Sequence, residues 1–223
     1  MNTLEKDFKL FAKSQGVSAT AIDKTINNII TPTIVEERSS ATAVVYDVFS
    51  RLVQDRIIFL SGEVNQTSMD VIVAQMLYLD SVDNRDIHLY INSPGGDCYS
   101  GLELVSVMDF IKSDVSTTVL GMAASMGSVI ASNGTKGKRY ALPYSRVMLH
   151  QPSSSQGYER FTDSKIHLQE MESVRNDLYE VLARNSGKSF EEIVELCEHG
   201  DKWLKGQEAV DLGFIDQIIA TKR

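Results

Sequence analysis

From residue 56 to residue 149 the chain alternates between short β-forming runs and apolar residues at helical spacing, and this rhythm most restricts its fold. Arg56-Ile57-Ile58-Phe59-Leu60 predicts a strand stopped by Ser61-Gly62, and Thr67-Ser68-Met69-Asp70 predicts a capping box that opens a helix over residues 69–80. Over residues 86–92, Ile87, Leu89 and Ile91 alternate with His88 and Tyr90. That strand ends in Ser93-Pro94-Gly95-Gly96-Asp97, and a helix follows with Leu102, Val105, Met108 and Ile111 on one face. A third run, residues 116–119, enters Leu120-Gly121-Met122-Ala123-Ala124-Ser125-Met126-Gly127-Ser128 and leaves as a helix through Val129, Ile130 and Ala131. Such alternation over a chain of 223 residues predicts one sizeable α/β domain.

The flanks are less regular. Leu4, Phe8 and Phe11 share one helical face, and Ile22, Ile26, Ile29 and Ile30 another, before Thr31-Pro32 breaks the pattern. Residues 1–31 are thus an N-terminal extension: a leader, an arm for a partner, or part of the fold. Residues 47–54 form a short helix carrying Val48, Leu52 and Val53. Beyond the third helix, strands are expected at 139–142 and 146–149, then a loop and one long helix over about 162–185. Its stripe (Leu168, Met171, Val174, Leu178, Val181, Leu182) is narrow and suits packing on another helix, in a neighbouring subunit or in the same chain. Ser189-x-x-Glu192 opens a further helix with Cys197 on its buried face, ended by His199-Gly200; a helix at 207–212 and a strand at 214–219 close the chain.

Composition removes several classes of function. A net charge of −8 and the lack of any Lys/Arg run speak against a nucleic-acid surface. Cys98 and Cys197 are far apart without CxxC spacing, so no disulfide framework, zinc site or other metal is expected. No stretch reaches the roughly 18 apolar residues of a membrane span, and the charged start lacks an apolar secretory core, so a soluble, cytoplasmic protein is expected.

The chemistry points to the stretch around Ser125. A serine flanked by glycine and alanine where a strand turns sharply into a helix has an uncrowded hydroxyl; close packing with a capping hydroxyl is the plainer alternative. A serine needs a base, and the base needs an orienting group. Of the four histidines, His88 lies within a strand, His167 on the long helix and His199 at a helix end; His150 stands at a strand end before Pro152 and is the best base. Asp201 is the best-placed acid, with Asp163, Glu195 and Glu198 as competitors. The N–H of Met126 and the Gly95-Gly96 pair are the sources of oxyanion donors, unless the glycines form an ordinary turn. A Ser–Lys dyad through Lys136 or Lys138 is a weaker option.

Five blocks carry a resemblance: Ile91-Asn92-Ser93-Pro94-Gly95-Gly96, Gly121-Met122-Ala123-Ala124-Ser125-Met126-Gly127, Gly137-Lys138-Arg139, Leu142-Pro143-x-Ser145-Arg146-Val147-Met148-Leu149-His150-Gln151-Pro152, and Glu208-Ala209-Val210-x-x-Gly213-x-Ile215-Asp216. In this order and spacing the chain closely resembles the ClpP family, the proteolytic subunits of ATP-dependent Clp proteases, from about residue 32 to the C-terminus. The resemblance implies a crotonase-like ββα superhelix with a protruding handle helix, here residues 162–185. It implies a serine endopeptidase with nucleophile Ser125, base His150, acid Asp201 and oxyanion donors Gly96 and Met126. It also implies an extended substrate lying as a strand beside Gly95, Gly96, Asp97 and Cys98 on one side and Ser153 and Ser154 on the other. Two stacked heptameric rings (a tetradecamer) would enclose the sites, and a Clp-type AAA+ unfoldase would use ATP to feed in unfolded polypeptide, so the subunit itself needs no cofactor. The chain departs from the family pattern at 1–31, longer than a usual leader, and at Glu198-His199-Gly200-Asp201, which is one residue longer with glycine in place of a frequent arginine. The altered segment motivates an alternative: a structural or weakly active ring subunit that docks partners.

Overall fold

The computed structural model describes residues 32–39, 42–154 and 160–220. The helical faces expected within residues 1–31 and most of the loop expected after Pro152 lie outside the described residues. The chain divides after Arg51 into two units.

In the first unit, β1 (Thr33–Ser39) pairs antiparallel with β2 (Thr42–Asp47). This hairpin was not expected from the sequence. The Asp47 carboxylate accepts from the N–H groups of Phe49 and Ser50, which starts helix α1 (Val48–Gln54).

The second unit is the α/β body. Five strands, β3 (Ile57–Val64), β4 (Ile87–Gly96), β5 (Val115–Ala124), β6 (Arg139–Ala141) and β9 (Gln217–Ile218), are hydrogen-bonded in that order, all parallel. The central β5 forks. Its first half pairs with β6 through Thr117, Thr118 and Val119. Its second half pairs in parallel with β7 (Arg146–Leu149), and β7 pairs antiparallel with β8 (Lys202–Lys205). Every residue from Val115 to Val119 is buried, as befits a strand covered on both faces. Helices α2 (Gln66–Val82), α3 (Cys98–Phe110), α4 (Met126–Ser132), α5 (Phe161–Ser186), α6 (Phe190–Cys197) and α7 (Gly206–Asp211) complete the body. One apolar cluster runs from Ile58 and Leu60 through Leu89 and Ile91 to Leu178, Ile193 and Phe214.

Four boundaries differ from expectation. Strand β3 does not stop at Ser61-Gly62: Gly62 adopts φ +89°, which glycine tolerates, so the register shifts between Ser61 and Glu63 and pairing resumes to Val64. Helix α2 is capped by Asn65, whose side chain accepts from the Ser68 N–H while Ser68 Oγ accepts from the Asn65 N–H; the box lies two residues ahead of the expected one. Strand β4 continues through Pro94 to Gly96, because its pairing with β5 ends at Ser93 and the missing proline N–H is not required there. The expected final strand is reduced to Gln217–Ile218, with Phe214 and Ile215 buried ahead of it.

Buried ion pairing ties the far edge of the sheet together. Arg139 is 1% exposed, and its Nε and Nη2 donate to the Asp216 carboxylate at 2.8 and 2.6 Å. Burial works against the Asp216 charge, but Arg139 outweighs it, and the carboxyl lies below its ordinary range.

Candidate active site

Strand register brings the expected residues together. Ala124 pairs with Met148 across β5 and β7, and the Ser125 N–H continues the ladder by donating to the Met148 carbonyl at 3.0 Å. His150, one residue past the end of β7, therefore arrives beside Ser125. Leu149 pairs with Lys202 across β7 and β8, which sets Asp201 opposite His150. The Gln151 N–H donates to the Cys197 carbonyl at 3.1 Å and holds the end of α6 at the same place. His150 Nε2 lies 2.8 Å from Ser125 Oγ, and His150 Nδ1 lies 3.2 Å from Asp201 Oδ1.

Ser125 is held in an uncommon conformation, φ +54° and ψ −128°. Among the described residues only Arg56 is another non-glycine with positive φ. Such a backbone costs about 1–3 kcal/mol and persists only where the surroundings impose it. Here the ladder on one side and α4 on the other turn the serine out of the sheet. Its hydroxyl makes no cap for α4, so the packing-and-capping alternative does not describe it. Gly95 makes the turn fit: a Cβ there would lie 2.6 Å from Ser125 Cβ and 2.9 Å from the Met126 nitrogen. A Cβ on Gly96 would lie 2.2 Å from the Val64 carbonyl oxygen. The Met126 side chain packs where Gly101 of α3 has none.

Two openings share Cys98 and Pro152 as walls. A cleft of about 290 Å³ lies between the start of α3, the segment after His150 and α5; Gly96, Asp97, Cys98, Ser153, Ser154 and Glu170 are among its walls. Gly95, expected beside the substrate, is buried against the Ser125 turn next to this cleft. Asp97 lies on the cleft, but its carboxylate accepts from the Ser100 N–H and hydroxyl, both at 2.7 Å, and caps α3. A smaller cavity opens beside Ser125 and His150, walled by Cys98, Val129, Leu178, Tyr179 and Leu182. Burial, then the neighbouring Asp97 charge, pushes the Cys98 thiol above its ordinary pKa, which keeps it protonated and a poor nucleophile.

The competing groups have other partners. Asp163 pairs with Arg160 at 2.6 Å, Glu195 with His199 at 3.2 Å, and Glu198 with Arg175 at 3.3 Å. Lys138 bridges Asp86 and Asp114 at 2.7 and 2.8 Å, and Lys136 faces Asp216, so neither lysine serves Ser125. His88 and His167 are exposed. Cys197 is fully buried, as expected, and burial pushes its thiol up to about 11. Among the described residues no group of three His, Cys, Asp or Glu side chains is arranged to hold a metal ion, and no helix is long and apolar enough to cross a membrane.

Comparison with known proteins shows the family. The sequence profile of the Clp protease family matches residues 39–222. The ATP-dependent Clp protease proteolytic subunit of Streptococcus salivarius is 47% identical over 194 residues, 86% of this chain and 98% of the relative. The subunits of the same name from Streptococcus thermophilus and Streptococcus agalactiae are 45% and 46% identical, covering 86% and 84% of this chain and 98% and 96% of the relatives. The chain belongs to the Clp protease family. The expected fold class and the expectation of a Clp-type protease both hold. The long helix of this Clp protease runs from Phe161 to Ser186. Its apolar stripe is divided: Val174, Leu178 and Leu182 are buried, whereas Phe161, Ile166 and Leu168 are exposed. Sequence reasoning missed Tyr179, which lines the small cavity; its place beside Leu178, on the buried face of the helix, was the available signal.

Proposed function

We propose that this chain is a serine endopeptidase subunit in which Ser125, His150 and Asp201 act as the catalytic triad. The observation that carries the reading is the 2.8 Å contact between His150 Nε2 and Ser125 Oγ at the turned end of β5. With the imidazole neutral and its proton on Nδ1, the Ser125 hydroxyl donates to Nε2 and Nδ1–H donates to Asp201. As Oγ attacks a peptide carbonyl carbon, Nε2 takes its proton, and Asp201 stabilises the imidazolium that forms. The N–H groups of Gly96 and Met126 receive the negative oxygen; the close packing of Gly95 on the Met126 nitrogen, which a Cβ at 95 would approach to 2.9 Å, supports their proximity. His150 then returns the proton to the leaving amine. A water molecule, activated by the same imidazole, releases the acyl group from Ser125. No cofactor enters any step.

An extended polypeptide lies in the 290 Å³ cleft, its backbone beside Gly96, Asp97 and Cys98 and across from Ser153 and Ser154. Subunits assemble into two stacked heptameric rings that enclose the sites, and a Clp-type ATPase feeds unfolded chains inside. The exposed half of the long helix supports assembly: Phe161 is 87% and Leu168 67% exposed, a cost that a neighbouring subunit would remove. The altered 198–201 segment, which motivated a weakly active subunit, brings Asp201 within 3.2 Å of His150 and so favours the active one. Labelling of the assembled protein with a fluorophosphonate tests the reading. Ser125 is modified, and His150→Ala abolishes the modification; an unlabelled Ser125, or labelling indifferent to His150, refutes it.

A further inference from the structure

Ser93 is the last residue at which β4 pairs with β5, opposite Ala123. It is fully buried, and its Oγ accepts from the Gly95 N–H at 3.1 Å. Pro94 between them has no N–H, so this bond closes a tight turn of the kind serine hydroxyls make with the backbone two residues on. Beyond the turn come Gly95, at φ +90°, and Gly96, at φ +147°. Two consecutive glycines can take many backbone directions, so their own preferences do not aim the Gly96 N–H. Two neighbouring bonds do. The Ser93 hydroxyl holds the amide before it, and the Asp97 N–H after it donates to the Val64 carbonyl of β3 at 2.8 Å. Backbone amides alternate between the two edges of a strand. With the Asp97 N–H turned to β3, the Gly96 N–H is turned to the β5 edge, where pairing has already ended.

Ser93 also supports the segment that carries the second donor. A Cβ on Gly127 would lie 3.2 Å from the Ser93 carbonyl oxygen and 3.4 Å from the Ser93 Cβ, so the first turn of α4 packs directly on Ser93. One buried residue thus bonds to the residue before Gly96 and backs the residue after Met126. Resting on the reading of Ser125 as nucleophile, with Gly96 and Met126 as oxyanion donors, we propose that Ser93 is a positioning residue of the oxyanion hole. Its hydroxyl holds the Gly95 N–H and so aims the Gly96 N–H at the oxygen that turns negative when Ser125 attacks. Without that hydroxyl the buried Gly95 N–H loses its acceptor, the glycine pair rotates, and the Gly96 amide meets the oxygen at a poorer distance and angle. The loss falls on the transition state, where the charge develops, and spares the binding of the uncleaved peptide.

Ser93→Ala, which lacks the hydroxyl, and Ser93→Thr, which keeps it, test the proposal in the assembled protein. The probes are a fluorogenic peptide and a peptide aldehyde of the same sequence. Ser125 Oγ adds to the aldehyde carbon, its proton passes to His150, and the former carbonyl oxygen takes the place of the oxyanion. Ser93→Ala is expected to lower kcat by about 10–100-fold, short of the 10²–10³ of a donor removed outright, with KM nearly unchanged. It weakens aldehyde inhibition by a similar factor, which a mere fall in the folded fraction would not do, and Ser93→Thr restores both to within a few-fold. An unchanged kcat in Ser93→Ala, a lower kcat with unchanged aldehyde affinity, or a threonine variant as impaired as the alanine one overturns the role of Ser93. Fluorophosphonate labelling of the wild type separates this failure from that of the reading beneath it. A labelled Ser125 alongside any of those results overturns Ser93 alone; an unlabelled Ser125 with the peptide uncut overturns the serine-peptidase reading and this role with it.

Discussion

Gly62 and Gly95 share almost the same backbone angle, φ +89° and +90°, in very different surroundings. A Cβ on Gly62 meets nothing within 4 Å; on Gly95 it would lie 2.5 Å from the Ala124 carbonyl oxygen, 2.6 Å from Ser125 Cβ and 2.9 Å from the Met126 nitrogen. Alanine at either site costs about 1–2 kcal/mol for the left-handed backbone. At Gly95 the contacts fall roughly 1 Å short of the optimum separation of about 3.5–4.0 Å. The turn holding Ser125 must therefore move away from β4 by a comparable distance, which adds about 1–3 kcal/mol of overpacking. Gly95→Ala is thus expected to lose about 2–5 kcal/mol of stability and, since about 1 Å of misplacement costs about a hundredfold in rate, to react with fluorophosphonate about a hundredfold more slowly. Gly62→Ala isolates the backbone term: it loses only the smaller amount of stability and labels Ser125 at nearly the wild-type rate. Urea unfolding and labelling kinetics on both variants give the four numbers. If Gly95→Ala labels as fast as the wild type and is no less stable than Gly62→Ala, the close approach of β4 to the Ser125 turn has no mechanistic role.

Asp201→Asn keeps the size of the side chain but cannot balance an imidazolium, and peptide hydrolysis is expected to fall by about 10³–10⁴ with assembly intact; a variant within a few-fold of the wild type moves the acid to another residue. Asp216→Asn leaves the buried Arg139 guanidinium without its counter-charge and is expected to cost about 2–3 kcal/mol in thermal or denaturant unfolding, less than a fully buried pair because Asp216 keeps some access to water. The wild type shows the same contribution against pH. The folded Asp216 carboxyl lies below its unfolded value of 3.8, so its stabilisation is complete above that value and lost as pH falls through the folded pKa, whereas the asparagine variant lacks that part of the acid-induced loss.

The parts of the site that local chemistry determines were legible in the sequence. Small residues on both sides of Ser125, at a junction of two periodicities, describe a sharp turn, and His150 before Pro152 describes a strand end. What escaped depends on partners distant in sequence. Gly62 looks like a stop because glycine commonly ends strands, yet the neighbouring β4 absorbs it as a bulge. Thr67 and Asn65 are both plausible caps, and only the reciprocal bonds with Ser68 choose Asn65. Asp201 could not be separated from Asp163, Glu195 and Glu198 by spacing, since what separates them is that the other three pair with Arg160, His199 and Arg175.

Strand β7 explains why a site assembled from three distant segments is nevertheless geometrically defined. It is four residues long, parallel to β5 on one side and antiparallel to β8 on the other, so one short strand measures the position of His150 against both Ser125 and Asp201. Because side chains alternate with a period of two, a slip of one residue on either side would turn His150 to the opposite face and lose both contacts together. The strand is guarded against such a slip by burial, with Val147 and Leu149 each 1% exposed, and by the bond from the Gln151 N–H to the Cys197 carbonyl just beyond its end. His199 and Gly200 fall between that bond and the β7–β8 ladder. The loop they form is pinned at both ends, and Gly200, at φ +101° with open space where a side chain would be, supplies the left-handed turn that leads the chain into Asp201.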